Sequence, residues 1–145
     1  MPRSHRVAEF SAPTEWGWPL DQSAPGFRRW RERLEAVSQF PNVTLKLQGL
    51  PLLFGASADR MEPWVRSAVR IFGPQCCMFA AYCPIDRLLW SYDELNQALL
   101  AILDDLTGGE REAFISGCAV REYQPSAGPL SERRASSQCP RFHPG

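Results

Sequence analysis

The sequence predicts an α/β domain built on parallel strands, and three observations carry that prediction. Apolar residues recur at helical spacing over several long segments. Two short segments between them read as strands. The order is helix, strand, helix, strand, helix, helix, which is two β-to-α units with one more helix appended. The 145 residues, 44% hydrophobic and 22% charged, suffice for one domain with its own core and fall short of two.

Residues 1–13 carry no sustained periodicity and read as a disordered arm. Phe27, Trp30, Leu34 and Val37 then form the stripe of an amphipathic helix over about residues 26–39, which Pro41 and Asn42 stop. Val43 to Gln48 alternates apolar and polar residues before Gly49, a strand with Thr44, Lys46 and Gln48 on its polar face. A loop from Pro51 to Ala58 leads to a second helix, for which Asp59 and Glu62 suggest a capping box and Pro63 a place in the first turn. Val65, Ala68, Val69 and Phe72 make its stripe, and Gly73-Pro74 ends it.

Cys76 to Tyr82 is nearly all apolar and closes at Pro84, as expected of a strand buried on both faces. Ser91 and Glu94 open a third helix with a capping box, and its stripe includes Leu95, Leu99 and Ile102. Thr107 and Glu110 do the same for a fourth, with Phe114, Ile115, Cys118 and Ala119 on its buried side. From Gln124 to Gly145 the chain is rich in proline and serine and reads as a disordered tail.

Composition narrows the function classes. Sixteen Lys and Arg balance sixteen Asp and Glu, so no basic field exists to collect nucleic acid or anionic lipid. No apolar run approaches the roughly 18 residues of a membrane span, and no signal-type stretch follows Met1-Pro2-Arg3, so a cytoplasmic location is expected. Five cysteines without a C-x-x-C spacing read as buried free thiols. The two histidines, His5 and His143, both lie in the terminal segments, which argues against a histidine-ligated metal, a Cys-His pair or a Ser-His-Asp triad.

Several motifs carry a family resemblance. Pro41-Asn42-Val43 ahead of Lys46-Leu47-Gln48-Gly49-Leu50 resembles the seventh-strand region of the amidohydrolase-related enzymes, the group of fuconolactonase-like and 2-pyrone-4,6-dicarboxylate lactonase-like hydrolases. Ile71-Phe72-Gly73-Pro74 and Cys77 to Pro84 are similar to that family's entry into its eighth strand. Gly17-Trp18-Pro19-Leu20-Asp21 resembles the loop after the sixth strand, and Ala119 to Tyr123 the family's C-terminal end. The resemblance spans residues 14–123 and implies the last two βα units, with a closing helix, of a (β/α)8 barrel whose full form takes about 250 residues. Strands one to six, with the first-strand His-x-His, are then missing or truncated.

The resemblance also implies hydrolysis of a lactone, ester or amide by activated water, and it locates the departures from that chemistry. The eighth-strand Asp that accepts a proton from the water aligns with Tyr82, whose phenol has an ordinary pKa near 10 and does not serve as a neutral-pH base without a large perturbation. The preceding Ser is Ala81, and the His of the sixth-strand loop falls at Glu15. Tyr82 is therefore the catalytic-position residue, with a buried structural tyrosine as the plainer reading. Lys46, the only lysine, is the candidate for a substrate carboxylate or simply a strand-end residue reaching water. Asp86 either lines the site mouth or caps a turn. The carboxylates Asp104, Asp105, Glu110 and Glu112 read as capping and solvent groups, and the tryptophans as core or interface anchors.

No metal or other cofactor is expected in this chain, although full-length relatives include metal-dependent enzymes. The expected partners are a small lactone or carboxylate, and either a second copy or a full-length homologue, because an incomplete barrel leaves sheet edges open. Loss of catalysis in the isolated chain and a noncatalytic interaction role are both expectations of this resemblance.

Overall fold

The computed structural model describes residues 12–123, so the expected arm up to residue 11 and the tail from residue 124 lie outside the described residues. Three parallel strands form the sheet, in the order β1 (Ala12–Glu15), β2 (Val43–Gln48) and β3 (Cys77–Ala80). Lys46 stands opposite Glu15 on one side and Met78 on the other. The sequence predicted two strands and placed residues 12 and 13 in the disordered arm, so β1 corrects both. Its four residues, Ala-Pro-Thr-Glu, offer neither a β-branched run nor a clear alternation, and Pro13 is a poor strand residue. Pairing with β2 decides its conformation. The strand expected over Cys76–Tyr82 is also shorter, since Cys76 belongs to a 3-10 turn and Tyr82 lies beyond the last paired residue, Ala80.

Helix α1 (Ala24–Ser38) follows β1 and α3 (Ala58–Phe72) follows β2. Ser23 caps α1 by accepting from the Gly26 amide, and Asp21 braces Ser23 through both its amide and its hydroxyl. Those bonds, led by the Ser23 hydroxyl, hold the Asp21 carboxyl below the ordinary value, with Arg29 assisting. The cap of α3 is Ser57, whose hydroxyl accepts from the Arg60 amide, and not Asp59. Pro63 consequently sits in the second turn. The expected loop after β2 contains the short helix α2 (Leu50–Phe54).

Both remaining capping boxes form as the sequence predicts. Ser91 and Glu94 open α4 (Tyr92–Ile102), and Thr107 and Glu110 open α5 (Gly108–Glu112). The fourth predicted helix runs on through one π turn at Ala113–Gly117 into α6 (Cys118–Tyr123). Arg66 on α3 ties this region down, reaching Glu62 on its own helix and Asp104 and Asp105 at the α4–α5 junction. The cluster of carboxylates at that junction is thus structural.

One side of the sheet holds the core. Leu45 and Leu47 of β2 pack with Trp30 and Leu34 of α1, with Val65, Ala68 and Val69 of α3, and with Leu95 and Leu99 of α4. Three aromatic rings cement the α1–α3 contact: Trp30 meets Trp64 at 4.9 Å between centroids, and Phe27 meets Trp64 at 4.8 Å. Phe54 of α2 extends the stack to Trp16. Edge-on pairs of this kind add about 0.5–1.5 kcal/mol each beyond the apolar area they bury. Cys77 and Cys118 are buried free thiols, and burial pushes Cys77 upward and Cys118 to about 11. Cys76 is disulfide-bonded, a departure from the expected free thiols. No spacing in the sequence pointed to it.

Candidate functional site

Because the three strands are parallel, their C-terminal ends and the loops that follow lie at one end of the sheet, where proteins of βα architecture place their ligand sites. Three segments meet there. The loop after β1 carries Trp16 to Gln22, β2 runs out at Gly49 into α2, and the segment after β3 carries Ala81 to Leu89.

Hydrogen bonds fix the first loop to the second. The Trp16 indole donates to the Gln48 carbonyl at 2.9 Å, and the Trp30 indole donates to the Trp16 carbonyl at 2.7 Å. Gln22 donates to the Leu53 carbonyl and accepts from Arg60. Trp18, between these anchors, adopts φ = 40°, a left-handed backbone that bulky residues rarely take. Its indole lies across Gly49, where a Cβ would come within 2.7 Å of the ring. Gly49 itself has φ = 68°, so glycine is required there twice over.

Tyr82 completes the corner. Its ring meets that of Trp18 edge to face, 6.2 Å between centroids and 79° between planes. At 38% exposure it is no buried structural tyrosine, and it lies outside the strand expected over Cys76–Tyr82, because pairing ends at Ala80. Its amide donates to Asp86 Oδ2 at 2.6 Å, which closes the loop ahead of the 3-10 turn at Ile85–Leu88. Asp86 is only 3% exposed, and its Oδ1 has no partner among the described residues. The turn-capping reading of Asp86 is what the geometry displays, with the second oxygen left over.

Lys46 is half-buried in the middle of β2 and makes no ion pair among the described residues. Its strand neighbours Thr44 and Gln48 are both buried, so the face the sequence marked as polar is largely covered. The structure brings Trp18, Tyr82 and Asp86 together and leaves Lys46 two residues back from the strand end. Trp18 is the residue that sequence reasoning missed. It stood among five tryptophans read as core or interface anchors, and only the left-handed backbone sets it apart.

A cavity of about 330 Å³ opens along α1, lined by Trp18 and Leu20 of the first loop and by Arg29, Trp30, Arg33 and Phe72. It lies on the helix-covered side of the sheet, since Leu45 also lines it.

The described chain is thus a parallel βα portion whose strand ends form a ligand-type mouth. Residues 14–124 match the model of the Amidohydrolase family. The chain is 31% identical over 112 residues to an L-fucono-1,5-lactonase of Burkholderia multivorans, covering 72% of this chain and 38% of that enzyme. An uncharacterized protein, y4mH, of Sinorhizobium fredii is 31% identical over 99 residues, 68% of this chain and 33% of the relative. Two crystal structures of an amidohydrolase from Burkholderia multivorans, one with bound HEPES and one with bound zinc, superpose with a TM-score of 0.70 at 28% and 27% identity. Each covers 79% of this chain and 44% of the neighbour. The chain belongs to the amidohydrolase family, on its fuconolactonase-like side, and spans less than half the length of the relatives it matches.

Zinc in one of those neighbours raises the question of a metal here. No group of three or more His, Cys, Asp or Glu side chains is placed to hold one among the described residues. At the strand ends, Asp86 already spends one carboxylate oxygen on the Tyr82 amide, and no second carboxylate, histidine or thiolate is grouped with it among the described residues. That donor set does not fit a divalent cation. No helix among the described residues is long and apolar enough to cross a membrane.

Proposed function

We propose that this chain is the C-terminal portion of an amidohydrolase-family hydrolase, of the kind that opens a lactone, ester or amide with activated water, and that on its own it binds without turning over. The observation that carries this reading is Tyr82. In the position that the family resemblance gives to a proton-accepting carboxylate stands a phenol whose ring packs on Trp18. A general base must reach the water with an oxygen or nitrogen that ionises near working pH. Asp86 does not replace it, because its carboxylate faces inward to the loop amide. What the chain's own residues perform is binding and shaping: Trp18 and Tyr82 offer ring surface, and Asp86 fixes the backbone that presents Tyr82.

The test is hydrolysis of a simple lactone by purified chain free of any full-length homologue. We expect no rate above the spontaneous one. Turnover that disappears in Tyr82→Phe would overturn the proposal.

A second reading has its own observation. Among the described residues both outer strands, β1 and β3, are edges of the sheet, and the cavity along α1 is lined by the exposed Val37 beside Arg29 and Arg33. Such edges favour association, so a noncatalytic role docking on a second copy or on a full-length homologue follows. A chain that sediments as a monomer near 16.4 kDa, alone and mixed with such a homologue, would remove this reading.

A further inference from the structure

We propose that the corner formed by Trp18 and Tyr82 is a binding subsite for a planar, apolar ring, so that the ligand of this site is an aryl-fused or aryl-substituted lactone or its ring-opened acid, and not a polyhydroxylated sugar lactone. The inference rests on the reading of the strand ends as a ligand mouth and names what that mouth selects.

Three observations carry it. First, the corner is built at a cost. Trp18 takes a left-handed backbone and Gly49 leaves the space its ring needs, and strain of this sort persists where surrounding structure holds it in place. Second, the two rings stand nearly perpendicular, which provides a face for stacking beside a ring edge for a T-shaped contact. Tyr82 is reachable from solvent at 38% exposure.

Third, each of the three loops carries an exposed leucine, and several of their polar side chains already hold partners within the chain. Leu20, Leu52 and Leu88, one from each of the three loops, are exposed, Leu20 and Leu88 by 81% and 82%. Asp21 is bound to Ser23 and Arg29, Gln22 to Leu53 and Arg60, and Asp86 to the Tyr82 amide. A sugar lactone brings several hydroxyl groups, and a site that selects it must present free donors and acceptors to match them, because hydroxyls left unpaired on binding weaken the complex. The three loops expose leucines instead. A planar apolar ring loses nothing there and gains both aromatic surfaces.

The experiment follows the Trp18 indole signal by NMR while 3,4-dihydrocoumarin, a benzo-fused six-membered lactone, or D-glucono-1,5-lactone is titrated into the full chain. Dihydrocoumarin is expected to shift the Trp18 signal and to bind at least tenfold tighter than the sugar lactone. Tyr82→Ala should weaken dihydrocoumarin about tenfold, and Tyr82→Phe, which keeps the ring, should leave it within twofold. Trp18→Leu should also abolish the preference, with the Trp16 and Trp30 indole signals reporting that the variant is folded.

Equal affinity for the two lactones overturns the inference, as does an unaltered affinity in Tyr82→Ala or the absence of any dihydrocoumarin binding. None of these results touches the expected lack of hydrolysis. Conversely, turnover lost in Tyr82→Phe removes the proposal of an inactive chain while the ring preference can stand.

Discussion

The helix-covered side of the sheet and its C-terminal end are built from the same three strands, yet they follow opposite rules. On the helix side each position is over-determined: Leu45, Leu47, Val65, Leu99 and Phe114 are all buried in one cluster of ordinary apolar residues. At the strand ends the arrangement is singular. A tryptophan in a left-handed backbone, a glycine that makes room for it, and a tyrosine held by a buried carboxylate depend on one another. In the core, volume and pattern suffice, while the arrangement at the strand ends depends on a few loop positions that the core does not constrain.

The comparison can be broken first at the core. Trp16 is fully buried, meets Trp30 and Phe54, and its indole N–H is satisfied by the Gln48 carbonyl, so Trp16→Ala should cost about 3–5 kcal/mol. For a chain of this size that is a large part of total stability. Urea unfolding followed by far-UV circular dichroism measures it, and a cost under about 1 kcal/mol would mean that the loop after β1 is not part of the core.

At the mouth, Gly49→Ala should cost about 2–3 kcal/mol, from the positive φ and from the clash of its Cβ with the Trp18 ring. The more telling readout is local. The Trp18 and Tyr82 signals should shift together while those of Trp30 and Trp64 stay in place; a change spread over all four would make corner and core one unit.

The smallest effect is expected far from both, at the N-terminus of α4. Ser91→Ala removes a side-chain cap worth about 1 kcal/mol. The Ser91 amide, followed by its hydroxyl, holds the Glu94 carboxyl below its ordinary value. A carboxyl depressed by folding contributes stability at pH values above its unfolded pKa, and that stability is lost as pH falls through the lower, folded one. Deleting the hydroxyl should therefore raise the Glu94 pKa toward the ordinary value, read from its side-chain carbon shift, and move the acid loss of α4 upward in pH. No movement would assign the depression to the Ser91 amide alone.

These contrasts also explain what the sequence could convey. The helices were legible because their stripes repeat over several turns and their caps are local: Ser91 with Glu94 and Thr107 with Glu110 form two of the three predicted boxes. The cap of α3 shifted to Ser57 because two neighbouring polar residues, Ser57 and Asp59, offer the same chemistry and tertiary packing chooses between them. β1 was illegible, since its four residues acquire strand conformation only by pairing with β2 across a long helical connection. At the site, Tyr82 could be singled out from the flanking motif, whereas the bond of Asp86 to the Tyr82 amide and the posture of Trp18 depend on backbone geometry that residue types do not encode.

The two indole hydrogen bonds behind the mouth form a relay, from Trp30 to the Trp16 carbonyl and from Trp16 to the Gln48 carbonyl, linking helix, loop and strand. Both protons are shielded from water, so they should exchange with solvent only when the chain opens around them. The molecule thus carries an internal clock: the deuterium exchange of two assigned protons reports how often the sheet and its first helix part company, without any label added to the chain.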